Sequence, residues 1–255
     1  ADRFKEGRGK PGTPAPLAGR SVALVFEKAS TRTRISLEIA VAELGGHPLV
    51  LTSAGSQMGR GEPIADTARV LSRMVHAITF RTAGVERLSE MVQYSSVPVL
   101  NALTDDSHPM QVLADLQTVR RVRGRLEGLK YAWVGDGNNM ANSWIEAAGL
   151  LGFELRLACP AGYDPDERYL REAKARGARL LVTRDPKEAA KDADVISTDV
   201  FASMGQEQEQ AARLRAFAGM MVDNKLTALA HPEHVVLHCL PAHRGEEIAA
   251  DVIDG

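Results

Sequence analysis

The sequence predicts an α/β protein made of two doubly wound parallel-sheet domains with helices on both faces. Short apolar, β-rich runs alternate with longer helical patterns along the chain, which is typical of strand–helix–strand units in parallel sheets. The 255 residues are enough for two domains of ordinary size. A content of 44% hydrophobic and 25% charged residues suits a folded chain with a sizeable core.

The alternation assigns each element in chain order. The predicted strands are Ser21–Phe26, Pro48–Thr52, Ala77–Arg81, Val97–Asn101, Lys130–Val134, Glu154–Cys159, Arg179–Thr183, Asp194–Thr198 and Val235–Leu240. The predicted helices are Thr31–Leu44, Ile64–Val75, Val85–Gln93, His108–Val122, Asn142–Leu151, Pro165–Arg176, Pro186–Asp192 and Glu207–Ala216, and Asp2–Glu6 has the pattern of the end of another helix.

The predicted domain boundary lies within Arg120–Gly128, where a basic, glycine-containing stretch ends a long helix and precedes a new strand. We therefore assign residues 1–124 to a first domain and residues 125–255 to a second. The Ser107–Val122 helix leads from one to the other.

Charge and composition exclude several classes of protein. Thirty-one Lys+Arg against 33 Asp+Glu give a net charge of −2, which argues against a dedicated nucleic-acid-binding protein. No apolar run approaches the roughly 20 residues of a membrane helix, and the first residues are polar, so we expect neither a membrane span nor a signal peptide. Two cysteines, Cys159 and Cys239, argue against a disulfide framework and fit a reducing cytosol. We expect a soluble, cytoplasmic protein.

The densest functional signal is the Ser30-Thr31-Arg32-Thr33-Arg34 run, which follows a predicted strand and opens a helix. A helix N-terminus offers unpaired N–H groups and the positive end of a dipole, which together bind anions. Three hydroxyls and two guanidiniums add donors suited to phosphate. The alternative is an ordinary Ser/Thr cap with two solvated arginines.

Two further features suggest ligand contacts. His108-Pro109-Met110-Gln111 begins a predicted helix, where His and Gln three apart share a face and could address a carbonyl oxygen and an amide. A capping or core histidine is the alternative. Arg81 ends a strand at the carboxyl edge, where open α/β sheets bind ligands, although a strand-end arginine is also common on surfaces. Lys28 has the same kind of position.

The Gly135-Asp136-Gly137-Asn138-Asn139 turn resembles a dinucleotide fingerprint but has Met140 at the third glycine position. The following strand ends without an acidic residue for a ribose, so NAD binding is disfavoured. Asn139 is still a candidate ligand contact at this edge. Asp199, followed by Ser203, ends another strand and could hold an ammonium group, or both could be local turn caps.

The His238-Cys239-Leu240-Pro241 motif closes the last predicted strand and has three interpretations. Cys239 could be a nucleophile partnered by a histidine, a metal ligand with His238, or a residue whose small side chain and backbone carbonyl line a pocket. Metal sites usually show denser His/Cys spacing than this, and we predict no metal site.

Taken together and in this order, the motifs resemble those of the aspartate/ornithine carbamoyltransferase superfamily, and within it the anabolic-type ornithine carbamoyltransferases. Phe26-Glu27-Lys28-Ala29 with the STRTR run is similar to the carbamoyl phosphate signature, and HPMQ to the second element. Asp199 with Ser203-Met204-Gly205 resembles the ornithine-side loop, and HCLP the closing motif. The similarity extends over nearly the whole chain.

The resemblance implies a cofactor-free enzyme that binds carbamoyl phosphate and L-ornithine. It also implies a homotrimer or a multiple of trimers, with active sites at subunit interfaces. An N-terminal carbamoyl phosphate domain and a C-terminal ornithine domain are implied. The implied carbamoyl phosphate residues are Ser30, Thr31, Arg32, Thr33, Gln57, Arg81, His108 and Gln111, with Gln57 reaching a neighbouring subunit's site. The implied ornithine residues are Asn139, Asp199, Ser203, Met204, Cys239 and Leu240. The implied catalytic residues are Arg81, His108, Gln111 and Cys239.

The implied reaction belongs to arginine biosynthesis and suits these residue types. The neutral δ-amine attacks the carbonyl carbon, a tetrahedral oxyanion forms and inorganic phosphate leaves. Positive donors aimed at the oxyanion and the leaving phosphate stabilise this transition state, one well-placed donor by roughly 3–4 kcal/mol. Proximity of the two substrates contributes further. No covalent intermediate is required, so Cys239 would act by position and through its backbone carbonyl.

The resemblance also implies segments absent from this sequence: a helix ahead of Phe4, and beyond Gly255 an active-site arginine and a helix that returns to the N-terminal domain. We expect a protein of this length to be less stable and less active than one with both segments.

Phe201 stands where the family usually has Trp. The Ser-Met-Gly loop favours ornithine over acetylornithine, succinylornithine or putrescine.

Three alternative functions stay open at this point. The first is a Cys-His hydrolase that uses Cys239 and His108. The second is a protein that only binds carbamoyl phosphate, including an inactive member of the family. The third is a related carbamoyltransferase that acts on a different amine. The complete set of Arg32, Arg81, His108, Gln111 and Asp199 argues against an inactive member.

Overall fold

A computed structural model describes residues 1–202 and 209–255. The strands are β1 (Ser21–Phe26), β2 (His47–Thr52), β3 (Ala77–Arg81), β4 (Val99–Leu103), β5 (Lys130–Val134), β6 (Glu154–Ala158), β7 (Arg179–Thr183), β8 (Val195–Thr198) and β9 (Val235–His238). The helices are α1 (Asp2–Gly7), α2 (Thr31–Glu43), α3 (Ile64–Leu71), α4 (Val85–Tyr94), α5 (Pro109–Arg123), α6 (Asn139–Leu151), α7 (Glu167–Ala175), α8 (Pro186–Ala190), α9 (Gln210–Ala216), α10 (Asn224–Thr227) and α11 (Ala250–Ile253). Within this described part of the chain, no helix combines the length and apolar character needed to cross a bilayer.

The chain divides into two compact units, of which Ala1–Met110 is the first. Its parallel sheet has the strand order β2-β1-β3-β4. Strand β1 is buried on both sides because alternate residues face opposite helices: Val22 and Leu24 pack with Val41 of α2, whereas Ala23 and Val25 pack with residues of α3 and α4. This unit therefore has helices on both faces of its sheet, as predicted.

The second unit, Gln111–Gly255, contains a parallel sheet of order β7-β6-β5-β8-β9. Tyr131 and Trp133 of β5 pack with α5, α6 and α7, whereas Ala132 and Val134 pack with α8 and α10 on the opposite face. The Tyr131 and Phe153 rings lie 4.1 Å apart between centroids, within the larger of these two cores. The predicted fold class, two α/β units on parallel sheets, is confirmed.

The division between the compact units lies at Met110/Gln111, whereas the sequence placed the domain boundary after residue 124, at the other end of α5. Helix α5 belongs to the second unit because Val112, Leu116 and Val119 pack into that unit's core. The compact units therefore differ from the predicted domains by the length of this helix.

Several element boundaries differ from the predictions for local reasons. Strand β9 ends at His238 rather than Leu240, because Leu240 has a left-handed φ of +58°. Helix α6 begins at Asn139 rather than Asn142, because the side chain of Asn138 caps it. The short helices α10 and α11 were not predicted. Part of the predicted Glu207–Ala216 helix lies outside the described residues, and α9 begins at Gln210.

Each sheet contains one point at which its winding reverses. In the first sheet this point lies between β1 and β3, where Phe26 is the register partner of Arg81. In the second sheet it lies between β5 and β8, where Trp133 is the partner of Ser197. Loops leave a crevice at the carboxyl ends of such strand pairs, which is where open α/β sheets bind ligands. Each unit thus has one expected ligand site.

Candidate active site

The first-unit site begins at the N-terminus of α2. Ser30 has an extended backbone, and its hydroxyl oxygen accepts the Thr33 N–H at 3.3 Å, so it caps the helix. Arg81, at the carboxyl end of β3, donates through Nη1 to the Thr33 hydroxyl oxygen at 3.3 Å. The structure therefore brings the STRTR run and Arg81 together, as their sequence positions predicted.

Arg81 carries the strongest sign of an anion site. The residue is only 8% exposed, and its Nε is buried without a hydrogen-bond partner among the described residues. Burial lowers the pKa of Arg81, and the positive charge of Arg32 lowers it further. Two neighbouring guanidiniums at a helix N-terminus raise each other's electrostatic energy, and a bound anion would relieve this repulsion.

Glu27, at the carboxyl end of β1, connects the backbone of Arg81 to Arg87 and Thr82. The Glu27 N–H donates to the Arg81 carbonyl at 2.9 Å, and the Glu27 carboxylate accepts from Arg87 Nε at 2.8 Å and from the Thr82 hydroxyl. Burial by itself would raise the pKa of Glu27, but the hydrogen bonds from Arg87 and Thr82 outweigh it and lower that pKa. Sequence reasoning assigned Glu27 no such role.

Lys28 and Gln57 lie apart from this cluster of contacts. Lys28 forms an ion pair with Asp105 at 2.6 Å, so its ammonium group has a carboxylate partner within the chain. Gln57 is exposed in the loop between β2 and α3. Its contact with a neighbouring subunit stays a prediction.

His108 comes directly before α5, which begins at Pro109. The predicted helix began at His108, whereas His108 directly precedes the first helical residue, Pro109, and its pairing with Gln111 stays a prediction. Burial lowers the pKa of His108 to about 4, and the charge of Arg81 adds to this effect. The imidazole is consequently neutral near pH 7 and can donate an N–H to a carbonyl oxygen without carrying charge.

The second-unit site centres on Asp199, which follows β8 and is buried. Its Oδ1 accepts the Val200 N–H at 2.8 Å, and its Oδ2 accepts from Asn138 Nδ2 at 3.0 Å. The Cys239 thiol, just beyond β9, lies 3.0 Å from Asp199 Oδ1 and donates to it. Three neighbouring strands, β5, β8 and β9, thus deliver polar groups to one carboxylate.

Cys239 is a protonated thiol in this environment. Burial raises its pKa well above the usual range, and the negative charge of Asp199 raises it further. A nucleophilic cysteine needs a lowered pKa and a nearby positive charge. The surroundings of Cys239 therefore disfavour the hydrolase alternative.

Gln111 is the first residue of the second unit and lies on α5. Its Nε2 donates to Asp115 Oδ1 at 3.0 Å, which orients the side-chain amide, and the amide carbonyl oxygen can accept from a ligand. Burial raises the pKa of Asp115 to about 6, although the Gln111 hydrogen bond opposes the shift. Sequence reasoning did not single out Asp115, whose i, i+4 spacing from Gln111 was the available signal.

The Gly-Asp-Gly-Asn-Asn turn brings Asn138, which the sequence did not single out, to Asp199. Asn138 Nδ2 donates to Asp199, and Asn138 Oδ1 also caps α6 by accepting the Met140 N–H at 2.9 Å. Gly137 is required because a Cβ there would lie 2.2 Å from the Asp164 carbonyl carbon. Asn139 is the first residue of α6, so it lies beside the site.

The remaining predicted ornithine residues, and Phe201 near them, lie in different surroundings. Ser203 and Met204 lie outside the described residues. Leu240 is 46% exposed, and its left-handed backbone turns the chain just after Cys239. Phe201 is buried and stacks on Phe217, so its ring belongs to the core of the second unit.

Two groups in the described part of the chain bring metal-ligand atoms within 4.8 Å of one another: Asp199–His238–Cys239 and His243–Glu246–Glu247. In the first group, His238 accepts the Leu240 N–H at Nδ1 and bonds Glu247 through Nε2. These hydrogen bonds engage both ring nitrogens of His238, and the Cys239 thiol donates to Asp199. In the second group, Glu247 Oε1 takes part in the contact with His238, and Glu247 Oε2 is buried without a hydrogen-bond partner among the described residues.

Comparison with known proteins identifies the family of this chain. A family model described as "Aspartate/ornithine carbamoyltransferase, carbamoyl-P binding domain" matches residues 1–121. A second, described as "Aspartate/ornithine carbamoyltransferase, Asp/Orn binding domain", matches residues 127–255. The chain therefore belongs to the aspartate/ornithine carbamoyltransferase family.

Individual relatives narrow the similarity to one branch. The chain is 60% identical over 240 residues to the ornithine carbamoyltransferase of Geobacter sulfurreducens, covering 94% of this chain and 79% of that protein. It is 55% identical to the Desulfotalea psychrophila ornithine carbamoyltransferase, covering 100% and 84%. The solved ornithine carbamoyltransferase of Pyrococcus furiosus has a TM-score of 0.93 at 46% identity, covering 99% and 82%. The anabolic enzyme of Campylobacter jejuni has the same TM-score at 40% identity, covering 99% and 84%.

The electrostatics of His108 yield a direct test. Removing the neighbouring charge with Arg81→Gln should raise the pKa of His108 from about 4 towards, but not up to, its usual value, because burial still acts. Histidine ring NMR signals followed against pH measure this shift. Arg34→Gln removes the same charge from α2, where Arg34 is paired with Glu38, and should leave the pKa of His108 unchanged. Equal shifts in both variants would contradict the assignment to Arg81.

The raised pKa of Asp115 gives a second test. Its folded pKa of about 6 lies above the unfolded value, so ionisation destabilises the folded protein as pH rises through this range. Asp115→Asn keeps an acceptor for Gln111 and removes the buried charge. Its unfolding free energy relative to the unchanged protein should therefore increase by on the order of 1–2 kcal/mol between pH 4.5 and pH 7.5. Urea unfolding at both pH values measures this, and a pH-independent difference would refute the cause.

Proposed function

We propose that this chain transfers the carbamoyl group of carbamoyl phosphate to the δ-amine of L-ornithine, giving L-citrulline and phosphate in arginine biosynthesis. The observation that carries the proposal is Arg81, a buried guanidinium at the carboxyl end of β3 that contacts Thr33 of α2 and whose Nε has no hydrogen-bond partner among the described residues. An anion site at one winding reversal and a buried carboxylate at the other match the needs of the two substrates. The names of the relatives support the same reaction.

The donor side of the proposed mechanism lies in residues 1–124, the proposed carbamoyl phosphate domain. The Ser30–Thr33 turn, with Arg32 and Arg81, binds the phosphate through helix N–H groups, hydroxyls and guanidiniums. Neutral His108 and Arg81 donate to the carbonyl oxygen, whose negative charge grows in the tetrahedral transition state. The Gln111 carbonyl oxygen accepts from the carbamoyl NH2, because Asp115 engages the other end of its amide.

The acceptor side lies in residues 125–255, the proposed ornithine domain. The Asp199 carboxylate provides the negative charge that a cationic α-amino group requires. We assign Asn139, Ser203 and Met204 to the same amino-acid end of the substrate. Cys239 and Leu240 are assigned to the δ-amine, where a protonated thiol acts by position and the Cys239 carbonyl accepts from the amine.

The proposed assembly is a homotrimer in the cytoplasm. Ile35 and Ile39 lie one turn apart on α2 and are 54% and 44% exposed, an apolar pair that a neighbouring subunit would cover. Gln57 is exposed as its proposed role across the interface requires. The unpaired cysteines Cys159 and Cys239 are consistent with a reducing compartment.

The first experiment compares acceptors. Purified protein with carbamoyl phosphate should form citrulline from L-ornithine and no carbamoylated product from acetylornithine, putrescine or aspartate. Turnover with another of these amines would support carbamoyl transfer as the reaction and would contradict ornithine as the acceptor. Binding of carbamoyl phosphate without turnover of any acceptor would favour the protein that only binds this ligand.

Two substitutions test the division of labour between the sites. Arg32→Ala should raise KM for carbamoyl phosphate about tenfold or more by removing a charge-assisted phosphate contact. Asp199→Ala should mainly raise KM for ornithine by removing the buried carboxylate. Initial rates with each substrate varied separately measure both effects. Lys28→Ala serves as a control at the same edge, because its ammonium group is paired with Asp105. Equal effects of Arg32→Ala and Asp199→Ala on both substrates would overturn the division.

The proposed assembly predicts a particle of three chains. Light scattering coupled to size-exclusion chromatography should give three times the 27.5 kDa chain mass. Ile35→Glu with Ile39→Glu places charges on the exposed pair and should dissociate the trimer while leaving circular dichroism unchanged. An unaltered trimer in this double variant would contradict the proposal that Ile35 and Ile39 lie in the subunit interface.

A further inference from the structure

Arg213 on α9 is a buried cation outside the predicted site. The residue is only 7% exposed, and burying a guanidinium is costly unless its donors are satisfied. Its Nη1 donates to Asp136 Oδ2 at 2.6 Å and to the Phe201 carbonyl at 3.0 Å, and its Nε donates to Glu209 Oε2 at 3.2 Å. The guanidinium also lies over the Tyr163 ring, 4.9 Å from its centroid. Arg213 thus contacts four other residues through its guanidinium.

Three of these four partners come from the carboxyl ends of three adjacent strands, whereas Glu209 directly precedes α9. Asp136 follows β5, Tyr163 lies in the loop after β6, and Phe201 comes two residues after Asp199 at the end of β8. Arg213 therefore connects the turn that carries Asn138 to the segment that carries Asp199. These are the two segments that the acceptor site uses.

Two further hydrogen bonds hold the same turn. The Asp136 carbonyl accepts from Trp133 Nε1 at 2.9 Å, and the Gly137 N–H donates to the Tyr163 carbonyl at 2.9 Å. Burial raises the pKa of Asp136, and Arg213 opposes that rise through its hydrogen bond and charge. Removing Arg213 would leave a buried carboxylate without its cation at the base of the turn.

We propose that Asp136 and Arg213 form a positioning pair that sets the distance between the Asn138 turn and Asp199 before the acceptor amino acid binds. The pair does not contact substrate; it acts through the backbone of both segments and through the Asn138–Asp199 hydrogen bond at 3.0 Å. This inference rests on the proposed function, since it takes Asp199 to be the acceptor carboxylate.

The same unit contains a matched control. Arg123 and Asp194 also form a 2.6 Å ion pair, with side chains 11% and 12% exposed, against 8% and 12% for Arg213 and Asp136. Asp194 precedes β8 and also accepts the Lys130 N–H at the beginning of β5. The control pair is thus at the amino ends of the same strands, the edge opposite to the acceptor site. It resembles the positioning pair in chemistry and burial and differs in location.

The experiment compares Arg213→Met with Arg123→Met. Both variants lose a buried cation, so both should lower the melting temperature. Only Arg213→Met should raise KM for ornithine, by about tenfold or more, with KM for carbamoyl phosphate unchanged. Arg213→Lys, which keeps the charge but not the planar fork, should lie between the unchanged protein and Arg213→Met. Equal KM changes in Arg213→Met and Arg123→Met, or no change in Arg213→Met, would reduce the pair to a purely structural role.

A second readout separates this inference from the proposed function. Amide hydrogen exchange at 20 °C should be faster in residues 135–142 and 199–202 of Arg213→Met, and unchanged there in Arg123→Met. If the unchanged protein turns over no ornithine, the proposed function fails, and the exchange data alone decide whether Arg213 orders these two segments. Unchanged exchange in both segments would overturn the positioning pair whatever the activity.

Discussion

The reversal of winding in each parallel sheet is the constraint on which the sites depend. Successive crossovers on opposite sides leave the carboxyl ends of β1 and β3, and of β5 and β8, without an overlying connection. Arg81 and Asp199 occupy the ends of strands at these two points. A cation and a carboxylate therefore project from the positions that the topology leaves accessible, one in each unit.

Burial then determines the protonation state of each group. Desolvation disfavours charge, which keeps His108 uncharged and the Cys239 thiol protonated at neutral pH. Arg81 keeps its charge because a guanidinium has far too high a pKa to lose its proton under the same burial. The first unit thus offers a fixed positive charge beside a neutral N–H donor. This arrangement suits a reaction in which negative charge develops on oxygen.

Most of the supporting hydrogen bonds tie neighbouring strand ends to each other. Glu27 connects the ends of β1 and β3, and Asp199 connects those of β5, β8 and β9 through Asn138 and Cys239. Arg213 connects the ends of β5, β6 and β8 through its contacts with Asp136, Tyr163 and Phe201. Because each of these contacts satisfies a buried polar group, losing one partner leaves the other without a hydrogen bond, which lowers the stability of the folded protein. Such networks hold the site residues in place before a ligand arrives.

The sequence by itself determined the fold class, the order of nearly all strands and helices, and the motifs that carry Arg81, His108, Asp199 and Cys239. These follow from periodicity, caps and strand ends, which are local properties. Tertiary structure decided which groups meet. Asn138 contacts Asp199, 61 residues away along the chain, and Arg213 contacts Asp136, 77 residues away. Strand order and burial create these contacts, and neither is encoded in the spacing of residues along the chain.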